Sequence, residues 1–119
     1  MSAYLRVLLS SLLLLASTTL AAASYPGDLA REIPPYPQSK LDSASEDAHG
    51  ASAVMNTSSP VEQAARYYRD TLTGKGWKVT ADAAIGSARA LEFRRNQHSI
   101  SVSIMPTSAG TTIALTLTR

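Results

Sequence analysis

The chain has 119 residues, of which 45% are hydrophobic and 17% charged, with six glycines, six prolines, no cysteine and a formal charge of +2. A chain of this size makes one domain, and the composition excludes collagen-like, wholly disordered and disulfide-stapled designs. Without cysteine there is no thiol nucleophile, no CxxC redox pair and no thiolate zinc site, and so small a net charge excludes a general nucleic-acid binder.

Residues 1–23 have the pattern of a secretory signal peptide. A short positive region ends at Arg6, an apolar stretch runs from Val7 to Leu15, and Ala21-Ala22-Ala23 closes a small, polar cleavage region. The competing reading is a membrane anchor, but Val7–Ala23 is at the lower edge of spanning length and is diluted by Ser10, Ser11, Ser17, Thr18 and Thr19. The pattern therefore predicts cleavage after Ala23, export to the periplasm or the medium, and no transmembrane span afterwards.

Residues 24–50 read as a Pro-rich, polar, extended arm. Pro26, Pro34, Pro35 and Pro37 fall here, and proline's fixed φ and missing N–H predict an extended, polyproline-like Ile33–Pro37. Gln38–Gly50 has no sustained period, and Lys40–Ala44 is at most a short strand. Asp28, Glu32, Asp42, Glu46 and Asp47 outnumber Arg31 and Lys40, whereas the remainder of the chain is net basic. Opposite signs predict an arm lying along its own body, with Ile33 and Tyr36 covering a rim of it.

Residues 51–119 form the predicted body. Ala51–Thr57 reads as a strand whose facing is ambiguous, because Val54 and Met55 point opposite ways. Ser59-Pro60-Val61-Glu62 has the form of a capping box with proline at the first helical position. Val61, Ala64, Ala65, Tyr68 and Leu72 recur at helical spacing, predicting a helix over 60–73 with one apolar stripe. Glu62–Arg66 and Arg66–Asp70 are spaced for i,i+4 ion pairs on its wet side, and Gly74 or Gly76 can supply the left-handed cap.

Downstream the period becomes 2. Trp77, Val79 and Ala81, then Leu91 and Phe93, then Ile100, Val102 and Ile104, then Ile113, Leu115 and Leu117 alternate with polar or small residues. Turns fall at 82–87, 95–97 and 106–110. Half-apolar strands joined by short connections predict an antiparallel meander with one dry face. The expected fold class is two-layer α+β, one helix packed on an antiparallel sheet, in the order β-α-β-β-β-β.

The pattern Pro35-Tyr36-Pro37-x-Ser39, then Ser59-Pro60, Tyr67-Tyr68, Leu72 and Gly76-Trp77, followed by the meander, resembles a set of small exported bacterial proteins of unknown function. The resemblance covers nearly all of the chain after the leader. It implies the same fold and compartment and supplies no catalytic residue.

Candidate sites are few. Arg89, Arg94 and Arg95 flank a turn and are the expected surface for anionic lipid headgroups or an acidic envelope protein. Glu46, Asp47 and His49 lack the spacing of a zinc site and read as a solvated loop. His98 shares the inward parity of Ile100 and reads as a partly covered sheet-end residue. Gly74-Lys75-Gly76 fails as a phosphate loop because it sits at a helix C-terminus, and Asn56-Thr57-Ser58 reads as an accidental glycosylation triplet. The Ser99/Ser101/Ser103 and Thr112/Thr116/Thr118 rows read as the wet side of the sheet. No residue is expected to be catalytic or to hold a metal or cofactor.

Three functions follow: a non-catalytic accessory binding domain of the bacterial cell envelope, a cystatin-like protease inhibitor, and a small hydrolase using His98. The second shares the order of elements, but Ala83-Ala84-Ile85-Gly86-Ser87 does not match the inhibitor's glutamine-x-valine-x-glycine hairpin. The third needs a nucleophile and an orienting carboxylate within reach of His98.

Overall fold

The computed structural model describes residues 24–119; the predicted leader and its cleavage site lie outside the described residues. The elements run α1 (Gly27–Glu32), β1 (Ser39–Asp47), β2 (Gly50–Thr57), α2 (Val61–Thr73), β3 (Lys78–Ile85), β4 (Ala88–Arg95), β5 (His98–Thr107) and β6 (Gly110–Thr118). The six strands form one sheet in the order β1-β2-β6-β5-β4-β3, and every neighbouring pair is antiparallel. From β2 onward the order β-α-β-β-β-β is the expected one, and α1 and β1 are additions to it.

The inner face is made by alternation. Ala51, Ala53 and Met55 of β2, Leu91 and Phe93 of β4, Ile100, Val102 and Ile104 of β5, and Ile113, Leu115 and Leu117 of β6 are all buried. This settles the facing of β2, where Met55 goes in and Val54 is half-buried on the other side. Ala64, Ala65, Tyr68 and Leu72 of α2 are buried in the same core.

α2 ends at Thr73 as expected but starts differently. Pro60 takes the cap position itself, with ψ 152°, and no side chain caps the helix. The Ser59 hydroxyl therefore does not close a capping box. The Ser59 amide donates to Thr57 Oγ1 at 3.2 Å, and Glu62 is drawn away to Arg89. At the other end Gly74 stays right-handed. Gly76, with φ 89°, makes the left-handed turn that lets the Trp77 amide reach the Leu72 carbonyl at 3.1 Å. The expected i,i+4 pairs of α2 are not among the ion pairs of the described residues. Its charges reach outward instead, Glu62 to Arg89 and Arg69 to Asp82.

Residues 24–50 depart most from the expected extended arm. Gly27–Glu32 is a short helix and Ser39–Asp47 a full edge strand. β1 needs no apolar period because β2 supplies its ladder; its register shifts between Leu41 and Ser43. Asp47 Oδ1 accepts from the amides of His49 (2.7 Å) and Gly50 (3.1 Å), closing the β1–β2 turn. The segment before β1 is docked, as the opposite charges predict. Leu29 and Ile33 are completely buried and Tyr36 nearly so, all three in the core that α2 and the inner face share.

Val79, expected in the core, is 39% exposed. β3 is an edge strand exposed along its whole length. A register shift between Val79 and Ala81 interrupts its alternation. Ile85 at its end is 66% exposed.

Candidate functional site

The three arginines expected to cluster are dispersed. Arg89 lies at one end of β4 and Arg94 and Arg95 at the other, about 20 Å apart at the rise of a strand. Arg89 belongs to a chain of ion pairs between α2 and the β3–β4 hairpin. It donates to Glu62 at 2.6 and 2.9 Å and to Asp82, which also takes Arg69 at 2.8 Å. The hydrogen bond from Arg89 is the main cause holding the Asp82 carboxyl below its ordinary range. Arg89 is thus a structural clamp. Its Nε is buried with no hydrogen-bond partner.

The other end of β4 is a basic region built from several elements. Arg95 stands opposite His98 in the β4–β5 register. Because Ser99 stands opposite Thr118, Arg119 follows beside His98. These three line a cleft of about 240 Å³ with Trp77, Asp28 and Glu32. Arg95 lies over the Trp77 ring at 4.6 Å, pairs with Glu32 at 2.8 Å and donates to the Lys75 carbonyl at 3.1 Å. Arg119 pairs with Asp28. The two acids sit i,i+4 on α1, so one short helix neutralises both arginines.

Glu32 also accepts from Trp77 Nε1 at 3.3 Å. Burial pushes its carboxyl up, but the hydrogen bonds from Arg95 and Trp77 and the charges of Arg95 and Lys75 outweigh it. The group stays below the usual carboxylate range.

On the other face of the sheet is a second cationic feature. Lys78 and Arg94 are directly opposite one another on β3 and β4, both exposed, and neither has an ion pair among the described residues. Like charges facing across a ladder repel. Lys75 stays with α1 and Arg95 on the core side, its Nζ donating to the Arg31 carbonyl at 3.2 Å. An anion between Lys78 and Arg94 would remove that repulsion.

The remaining candidates are placed as follows. His98 is half-buried in the arginine cleft, whose lining holds no serine or threonine, and both carboxylates there are committed to arginines. Asp47 is committed to its turn, and among the described residues no three His, Cys, Asp or Glu side chains are grouped to hold a metal ion. Asn56 is exposed on β2, its Oδ1 accepting from Thr112 at 2.8 Å. The Ser99/Ser101/Ser103 and Thr112/Thr116/Thr118 rows occupy the face of the sheet opposite the core, exposed or half-buried. Among the described residues no helix is long and apolar enough to cross a membrane.

A second cleft was not anticipated. Tyr36, Pro37 and Gln38 face Ser59 and the α2 residues Gln63, Arg66, Tyr67 and Asp70 across about 300 Å³. The spacing of those four helical residues, i, i+3, i+4 and i+7, was a signal for one shared face. Tyr36 and Tyr67 cross edge-to-face at 5.0 Å, as do Tyr67 and Tyr68 at 5.2 Å. Burial raises the phenol pKa values of Tyr67, Tyr68 and Tyr25. The Tyr68 hydroxyl is buried without a partner, while that of Tyr25 donates to the Ile33 carbonyl at 3.0 Å.

A family model described as START domain-like matches residues 37–111, from the rim of the tyrosine cleft to the beginning of β6. No curated protein and no solved structure matches the chain.

Proposed function

The chain belongs to the START domain-like family, and from that premise we propose that it is an exported, non-catalytic binding domain of the bacterial cell envelope whose partner is anionic. The observation that carries this reading is the Lys78–Arg94 pair, two exposed like charges directly opposite on neighbouring strands. Lys75, Arg95 and Arg119 are engaged on the other face of the sheet, with α1 and with one another. The Lys78–Arg94 pair loses repulsion when a phosphate or carboxylate sits between the two cations. The leader pattern of residues 1–23 supports export, which would bring this surface to envelope lipids and proteins. Anionic lipid headgroups are the partner that the charge pattern favours. Glu92, exposed two residues before Arg94 on the same face of β4, keeps the region from being uniformly basic, so the attraction is local to the pair rather than a general affinity for polyanions.

The test is partition of the protein between buffer and vesicles of phosphatidylglycerol or phosphatidylcholine at low salt. The anionic vesicles bind more protein, and raising salt to about 0.1 M, where screening acts over about 10 Å, weakens the preference. Replacing Lys78 and Arg94 together by alanine removes most of it. Equal partition into both vesicle types would overturn the reading.

A further inference from the structure

We propose that the cleft between the Tyr36-Pro37-Gln38 segment and α2 binds a neutral, hydroxyl-rich ligand, a saccharide unit. Its volume of about 300 Å³ is at the lower end of the range for small-molecule sites, room for a sugar ring rather than a long chain.

One wall is aromatic and rigid. Tyr36 is 5% exposed, held edge-on to Tyr67 at 5.0 Å and against Tyr68 at 5.9 Å. Tyr67 is half-buried and lines the cleft. With Tyr36 covered, Tyr67 is the ring a ligand reaches, and aromatic rings attract the polarised C–H groups on the flat side of a sugar.

The other walls are polar and uncommitted. Gln63, Arg66 and Asp70 project from α2, and Gln38 faces them. All four are exposed, and among the described residues none of their side chains makes a hydrogen bond or ion pair. This holds even though Arg66 and Asp70 stand i,i+4. At the basic end, by contrast, the arginines and acids of the cleft are already paired.

Arginine only donates, carboxylate only accepts, and glutamine does both. Hydroxyl groups, as donors and acceptors, can satisfy all four. The single positive and single negative charge disfavour an anion and a cation alike, and the polar lining disfavours an apolar ligand. Gln38 is also held in place: its backbone is left-handed at φ 58°, its carbonyl accepts from Thr57 Oγ1 at 3.5 Å, and the neighbouring Ser39 hydroxyl donates to the Tyr36 carbonyl at 2.6 Å. Non-glycine residues adopt that conformation only where the surroundings impose it.

The experiment is an amide-shift NMR titration of the protein with glucose, N-acetylglucosamine and their linear trimers, with inorganic phosphate and a proline-rich peptide as counter-probes. At least one saccharide shifts amides of residues 36–38, 63, 66, 67 and 70 together. Gln63→Ala and Asp70→Asn, both at exposed positions, each weaken that binding by about tenfold, whereas Lys78→Ala at the basic end leaves it unchanged. Tyr67→Ala abolishes it, and Tyr67→Phe, which keeps the ring, retains most of it. The proposal is overturned if no saccharide shifts these amides, or if phosphate or the peptide shifts them and the sugars do not. Lys78→Ala belongs to the vesicle test, so the two readings fail separately.

Discussion

Glu32 and Arg95 meet at 2.8 Å beside the ring of Trp77, joining a helix of the N-terminal segment to the far end of the fourth strand. With the neighbouring pair of Asp28 and Arg119, this contact decides how the segment before β1 lies on the sheet. The helix brings its buried Leu29 into the core in the same movement.

Because the partners of Glu32 hold its carboxyl below the ordinary 4.5, its contribution to stability has a defined pH window. The charged form is favoured in the folded state, so the contribution is complete above about 4.5 and is lost as pH falls through the lowered folded value. Glu32→Gln therefore lowers the unfolding free energy measured in urea at neutral pH by about 0.5–1 kcal/mol, a partly exposed pair being screened by water. The gap between the two proteins closes as the solution is acidified below about pH 4.5. A gap that widens on acidification would contradict this assignment.

Leu29 and Val79 exchange the roles that composition suggests for them. Leu29 lies in a segment that reads as a polar arm yet is completely buried, and Val79 lies in an alternating strand yet is 39% exposed. Leu29→Ala costs about 2–5 kcal/mol, the range for a truncated core leucine. Val79→Ala costs less than about 1 kcal/mol. Chemical denaturation of both variants checks the ordering, and the reverse order would mean that residues 25–36 are not part of the folded unit.

Gly50 begins β2 where the backbone of Leu117 passes so close that a Cβ would overlap its carbonyl group. Gly50→Ala therefore forces β2 and β6 apart and costs about 1–3 kcal/mol. The effect is visible as faster amide exchange in those two strands, with α2 little changed. Gly27, where a Cβ would meet nothing, accepts alanine with a change below about 0.5 kcal/mol.

How far the sequence is legible follows from the reach of each signal. The apolar stripe of α2 and the alternation in β4, β5 and β6 show directly which side chains enter the core, because a period of 3.6 or 2 maps onto one face. β1 has no such alternation, since an edge strand with one partner and little cover needs none. Its position depends on the hairpin it makes with β2. The arginine cluster failed for a related reason. Arg89 and Arg95 share a face, but a strand separates them by its own length, and Arg94 points to the opposite side with Lys78. The tyrosine cleft was half visible, in the helical spacing of Gln63, Arg66, Tyr67 and Asp70, but its other half comes from Tyr36 to Gln38.

By itself, then, the sequence determined the α2 helix, the inward set of β4, β5 and β6 and the attraction of an acidic N-terminal segment to a basic body, because these depend on local period and on charge. Only the tertiary structure decided that this segment enters the core, that β3 lies exposed at the sheet edge, that Lys78 faces Arg94, and that Tyr36 meets Tyr67. Those are outcomes of strand order and register, and a pairing between distant residues leaves no periodic trace in either of them.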